Sequence, residues 1–224
     1  MFKVIILKNT VELALDEYKR LLQHVSLEKQ ERIRRFYIFL DAQNCLMGDI
    51  LARMEICQIT GLRNEELEFA VNLYGKPFLK NKPQIHYNLS HAGSFISCAL
   101  SDQPVGIDIE CIKEIDMRIA DRFFTAQETA HILSAPEDMR KRQRFFEVWT
   151  KKESRIKWEG KGLTKPLNSF STLDSAEQTG VFYHCIYSDT EAIGYVCSNK
   201  KEKPTIKITD TNTLLQHIET INKK

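Results

Sequence analysis

From residue 2 to residue 7 the chain is apolar apart from Lys3, a run that predicts a strand. Thr10 follows as a cap for a helix over 11–24, in which Leu13, Tyr18, Leu21 and Leu22 recur near helical spacing. Ser26 then caps a longer helix running towards residue 59 and stopping near Gly61. Its apolar stripe is Ile33, Phe36, Tyr37 and Leu40, while Lys29, Arg32 and Arg35 sit three apart on another face. Beyond it the pattern shortens. Strand-like segments at 67–73, 85–89 and 95–100 are separated by Gly75-Lys-Pro77, Asn81-Lys-Pro83 and His91-Ala-Gly93, which predicts a small antiparallel meander.

At Pro104 the sequence starts over. A strand at 105–110 leads to a helix entered through the capping box Thr125-Ala-Gln-Glu128, then to a long helix over about 138–159. Strand segments follow at 168–173, 181–187 and 192–198, then a last strand at 205–208 and a helix capped by Thr209 or Asp210. Strand, helix, longer helix and strands thus occur twice. The expected fold class is α+β, built as two similar halves, residues 1–104 and 105–224, each a small antiparallel sheet packed against a long helix.

Composition changes this picture little but excludes several functions. The chain of 224 residues is 42% hydrophobic and 28% charged, enough for a sizeable core without staples. A net charge of +2 supplies no global field for nucleic acid or a membrane, so any anion site is local. The opening apolar run is too short for a signal segment or a membrane span, and the cytoplasm is the expected compartment. Cys45, Cys57, Cys98, Cys111, Cys185 and Cys197 are scattered without a Cys-x-x-Cys pair and read as small buried hydrophobes.

Two stretches carry candidate chemistry. Period two in Val105-Gly-Ile-Asp-Ile-Glu110 sends Val105, Ile107 and Ile109 to one face and Gly106, Asp108 and Glu110 to the other. In Trp149-Thr-Lys-Lys-Glu-Ser-Arg-Ile-Lys157, helical spacing stacks Trp149, Glu153 and Lys157 on one stripe, with Lys151 and Lys152 adding charge beside them. Taken singly, each also reads as an ordinary solvated face. Together, with the helix over the sheet, they would form three carboxylates and a lysine, a set suited to magnesium shared with substrate phosphates. A magnesium-dependent phosphodiester hydrolase and a non-catalytic binding module use the same residues and stay open at this point.

Gly106-Ile-Asp-Ile-Glu110, Trp149 to Lys157 and Gly160-Lys-Gly-Leu163 together resemble the Sfp-type 4'-phosphopantetheinyl transferases. Glu28-Lys-Gln-Glu-Arg32, Arg34-Arg-Phe-Tyr37, Tyr74-Gly-Lys-Pro77 and His86-Tyr-Asn-Leu-Ser-His91 look like family segments in family order, so the resemblance covers about residues 26–170. It implies halves related by a pseudo-twofold, with the active site between them. It also implies transfer of phosphopantetheine from coenzyme A to a serine of an apo peptidyl or acyl carrier protein, with release of 3',5'-ADP. Asp108, Glu110 and Glu153 would hold magnesium, Glu153 would take the serine proton directly or through water, and Lys157 would steady the leaving group. Lys29 and Arg32 would clamp the 3'-phosphate, Lys76 would lie in the turn near the adenine, and Ser90 and His91 would donate to phosphate oxygens. Cys45 stands where relatives often have a hydroxyl, and Arg32 replaces a frequent lysine. The two-half layout lets one chain build the cleft, so a monomer is expected. The alternation of Ile112, Ile115, Met117 and Ile119 with charged residues is expected to leave an apolar patch for the carrier.

Overall fold

The computed structural model describes residues 1–221. The first sheet has the order β4 (His86–Ala92), β5 (Phe95–Ser101), β1 (Phe2–Lys8), β9 (Thr205–Asp210). The second is β6 (Val105–Cys111), β8 (Ala192–Ser198), β7 (Phe182–Ser188), antiparallel throughout. Val4, Ile6, Phe95 and Ala99 of the first sheet pack against Val105, Ile107, Ile109 and Val196 of the second, so the sheets share one apolar layer. The outer face of the first sheet is covered by α3 (Phe39–Thr60), through Leu46, Ile50 and Leu51 against Ile5, Leu7 and Cys98. The second sheet is covered by α6 (Asp138–Glu159), whose Phe145, Phe146 and Val148 pack with Ile193. Each of these helices has 22 residues and ends on a left-handed glycine, Gly61 or Gly160. This is the two-half α+β architecture expected from the pattern.

The departures are local. The first helix, α1 (Leu15–Leu22), starts at Ala14 instead of Thr10, because Gln43 accepts from the Leu13 amide at 2.9 Å and donates to the Val11 carbonyl at 2.8 Å, holding that stretch extended. The helix expected over 26–59 is two: α2 (Leu27–Ile33), capped by Ser26, and α3. Ile33 is buried but Tyr37 and Leu40 are exposed, so the assumed apolar stripe does not continue through the aromatic and β-branched run at 36–39. The meander is only the β4–β5 pair, with β1 completing the ladder. β2 (Phe69–Val71) pairs apart with β3 (Pro77–Leu79), a short strand opened by a proline and missed in the sequence.

Residues 168–173 form no strand. Leu167–Ser169 is a 3₁₀ turn, and the Thr172 amide donates to Glu128 at 2.8 Å instead of to a ladder. After α4 (Arg118–Phe123), the capping box at α5 (Ala126–Leu133) is present as expected, and α7 (Ala176–Thr179) precedes β7. After β8 the chain returns to the first sheet: β9 runs parallel to β1, and α8 (Thr211–Ile221) contributes Leu214 and Ile218 to the first core. Among the described residues no helix is long and apolar enough to cross a membrane.

Candidate active site

The site is set by how closely α6 lies on β6. A Cβ on Gly106 would stand 2.0 Å from the Ser154 carbonyl oxygen and 2.2 Å from the Trp158 amide, so only glycine allows this approach. Period two then does what the sequence requires: Val105, Ile107 and Ile109 are buried between the sheets, and Asp108 and Glu110 share the face of Gly106, beneath α6. The other edge of β6 faces β4. There, side chains replace a ladder, since Asn88 Oδ1 accepts from the Ile107 amide at 2.8 Å and Ser90 Oγ from the Ile109 amide at 3.4 Å.

Asp108 is 4% exposed. Its Oδ1 accepts from Lys157 Nζ at 2.7 Å and from Ser90 Oγ at 2.8 Å, and Lys157 also donates to Ser90 Oγ at 2.9 Å. Asp108 Oδ2 is buried and has no hydrogen-bond partner. Burial and the Asp108 charge push the Glu110 carboxyl up to about 7, against the pull of Lys113, Lys157 and a Trp149 hydrogen bond. Glu153 is raised too, by burial first and the Asp108 charge second, with Lys157 opposing. Asp108 and Lys157 therefore act on both Glu110 and Glu153 across the β6–α6 contact, and one Asp108 oxygen is unpaired. Among the described residues no three His, Cys, Asp or Glu side chains are gathered into a ready-made metal centre.

His91 is the last residue but one of β4 and is exposed. Crowding by its neighbours holds its imidazole below the ordinary range, Asp41 opposes this, and the fields of Lys157, Lys29 and Arg32 add to it. Cations from both halves thus converge on one histidine. Lys29 is paired with Asp49 at 3.0 Å, and Arg32 is exposed on α2.

Two findings from known proteins bear on this geometry. The family model described as the 4'-phosphopantetheinyl transferase superfamily matches residues 104–209, and one described as 4'-phosphopantetheinyl transferase, N-terminal, matches residues 13–103. The 4'-phosphopantetheinyl transferase Sfp of Bacillus subtilis (strain 168) is 42% identical over 159 residues, 71% of this chain and 70% of the relative. The 4'-phosphopantetheinyl transferase gsp of Aneurinibacillus migulanus is 37% identical over 204 residues, 88% of this chain and 85% of the relative. The chain belongs to the 4'-phosphopantetheinyl transferases.

Within this transferase the sequence-selected residues divide. Asp108, Glu110, Glu153, Lys157 and Ser90 meet at the β6–α6 contact, and His91, Lys29 and Arg32 lie in electrostatic reach of one another. The Lys76 ammonium instead donates to the Val105 carbonyl at 3.0 Å and the Trp158 carbonyl at 3.3 Å, and burial pulls it down to about 8. Cys45 is buried in the first core. Ile112, Ile115, Met117 and Ile119 are half-buried against Phe124 and Phe145, so these residues chiefly cover the core.

Lys152 corrects a reading of the sequence: it is fully buried instead of adding surface charge, and the spacing Phe145, Val148, Lys152, Ile156 marks that stripe. Asn88, which period two places on the Ser90 face, has no chemical signal of its own in the sequence, although it binds β6. A cavity of about 510 Å³ lies at the β7 edge between Phe182, Tyr183 and Ile206, and none of Asp108, Glu110, Glu153 and Lys157 lines it.

Proposed function

We propose that this transferase moves 4'-phosphopantetheine from coenzyme A to a serine hydroxyl of an apo peptidyl or acyl carrier protein, with magnesium, releasing 3',5'-ADP, and that it does so as a cytoplasmic monomer. The observation that carries this reading is the buried, unpartnered Asp108 Oδ2 beside the raised carboxyls of Glu110 and Glu153. Like charges held together without a full set of partners are relieved by a divalent cation. Magnesium takes hard oxygen ligands and keeps positions for water and phosphate, so carboxylates from one strand and one helix suit it. Asp108, Glu110 and Glu153 would be its ligands, and when bound it would polarise the diphosphate and offset its charge.

The chain's own residues do the rest. Lys157, reaching over Asp108 from α6, neutralises charge that builds on the departing 3',5'-ADP. Glu153, its carboxyl raised by burial, takes the serine proton directly or through one water. The serine oxygen bonds to the β-phosphorus as the bond to the bridging pyrophosphate oxygen breaks. Lys29 and Arg32 supply positive charge for the nucleotide phosphates, and His91, whose charged form is disfavoured, donates a ring N–H to a phosphate oxygen. The Ser90 hydroxyl hydrogen-bonds Asp108 instead of a phosphate and holds that carboxylate in place. Lys76 acts in this picture through the turn that it anchors, with the backbone at Gly75, of positive φ, near the adenine.

The purified chain incubated with coenzyme A, magnesium and an apo carrier domain is expected to yield a carrier heavier by one phosphopantetheine group. Unmodified carriers across a panel of peptidyl and acyl types, with 3',5'-ADP released from coenzyme A alone, would replace this reading with hydrolysis.

A further inference from the structure

Lys152 and Glu128 form an ion pair of 2.7 Å in which both side chains have no exposure. Its bonding is complete. The three ammonium protons of Lys152 go to Glu128 Oε2, the Leu167 carbonyl and the Phe170 carbonyl, each at 2.7 Å. Glu128 Oε2 also accepts from the amide and hydroxyl of Thr125, at 2.9 Å each. Its Oε1 accepts from the amide of Thr172 at 2.8 Å and from its hydroxyl at 2.9 Å. One pair thus joins the start of α5, the middle of α6 and the segment that follows α6.

That segment, residues 161–172, contains only two short 3₁₀ turns, so it borrows its order from α6. It doubles back along the helix. Near its start, Glu159 is held by Arg155 at 3.1 Å and Lys165 at 2.6 Å. Near its end, the Phe170 ring receives Lys152, Lys165 and Arg155 at 4.5, 4.8 and 4.7 Å. The segment is therefore a strap, and α6 lies between it and β6. Lys152 is the residue before Glu153 and five before Lys157, so whatever fixes Lys152 fixes the rotation and axial position of both.

A buried ion pair is a poor source of stability, because its desolvation offsets most of its attraction and well-packed apolar residues often do as well. Its directional bonds, in contrast, admit one register. Resting on the transferase reading above, we propose that Lys152 and Glu128 are positioning residues: they lock the strap onto α6 and thereby hold Glu153 and Lys157 over Asp108. Neither touches the reacting atoms.

The test pairs the variant Glu128→Leu/Lys152→Met, which removes both charges together, with Thr172→Val, which deletes one bond to the pair and leaves both charges. The double variant is expected to unfold within a few degrees of the wild type. Its amides at 161–172 should lose hydrogen-exchange protection at least tenfold, and kcat should fall roughly ten- to hundredfold while KM for coenzyme A stays within about threefold. Thr172→Val should move protection and kcat in the same direction by a few-fold. Protection and kcat within twofold of wild type in the folded double variant would overturn the proposal. If the double variant fails to fold, unchanged protection and kcat in Thr172→Val overturn it instead. A wild-type protein that transfers nothing would count against the proposed function and leave exchange at 161–172 to judge the lock.

Discussion

Glu110 shows how much one carboxyl depends on its surroundings. Burial and the neighbouring Asp108 charge hold it up to about 7, so near neutrality about half of it is protonated and unable to bind a cation. Binding of the proposed magnesium requires the carboxylate, so the magnesium concentration for half-maximal rate should fall about fivefold from pH 6 to pH 7 and level off by about pH 8. Magnesium titrations of initial rate at fixed pH would check this, and in Glu110→Gln the slope should flatten. At this scale the sequence was readable where periodicity did the work. Period two on β6 separated Asp108 and Glu110 from the core-facing Val105, Ile107 and Ile109, and the structure keeps that division. It was unreadable where a residue's type and its environment disagree. Lys152 looks like surface charge by composition, yet it occupies the buried stripe of α6, and Glu128, 24 positions earlier, with the Leu167 and Phe170 carbonyls makes that tolerable.

Among elements, the decisive contact is α6 on β6. Gly106→Ala would put a Cβ into main-chain atoms that cannot give way without moving the helix. The expected loss is at least about 3 kcal/mol by urea unfolding, with activity reduced more than tenfold in the fraction that folds. The far end of α6 is held differently. Lys76 and Asn72, from the turn before β3, bind the Trp158 and Gly160 carbonyls, which the helix leaves without partners of its own. Lys76 is lowered from 10.5 to about 8 on folding, so between those values the unfolded chain binds more protons and stability rises with pH. Against Lys76→Met, the wild type should therefore gain at most about 1.4 kcal/mol per pH unit from pH 8 to 10, measured by denaturant unfolding at each pH. Element boundaries were less legible than element types. The break between α2 and α3 carries no Gly or Pro, and the strand expected at 168–173 is pulled away by side-chain bonds from a distant helix.

For the whole molecule, the repeat of strand, long helix and strands was visible in the chain, and two 22-residue helices ending on Gly61 and Gly160 bear it out. The return of β9 to the first sheet was not visible, because a parallel pairing between residues 2–8 and 205–210 leaves no local mark in either segment. That closure ties the two halves through both ends of the chain, with the Met1 amino group and Lys200 on Asp102. It leaves the seam between β4 and β6 as the place where cations of the first half meet carboxylates of the second. Transfer at that seam is most directly tested by the mass of an apo carrier domain after incubation with coenzyme A, magnesium and either wild type or Glu153→Gln. The wild type should add one phosphopantetheine group, and the folded variant should leave the carrier at its apo mass. A carrier modified at the wild-type rate by Glu153→Gln would contradict the account.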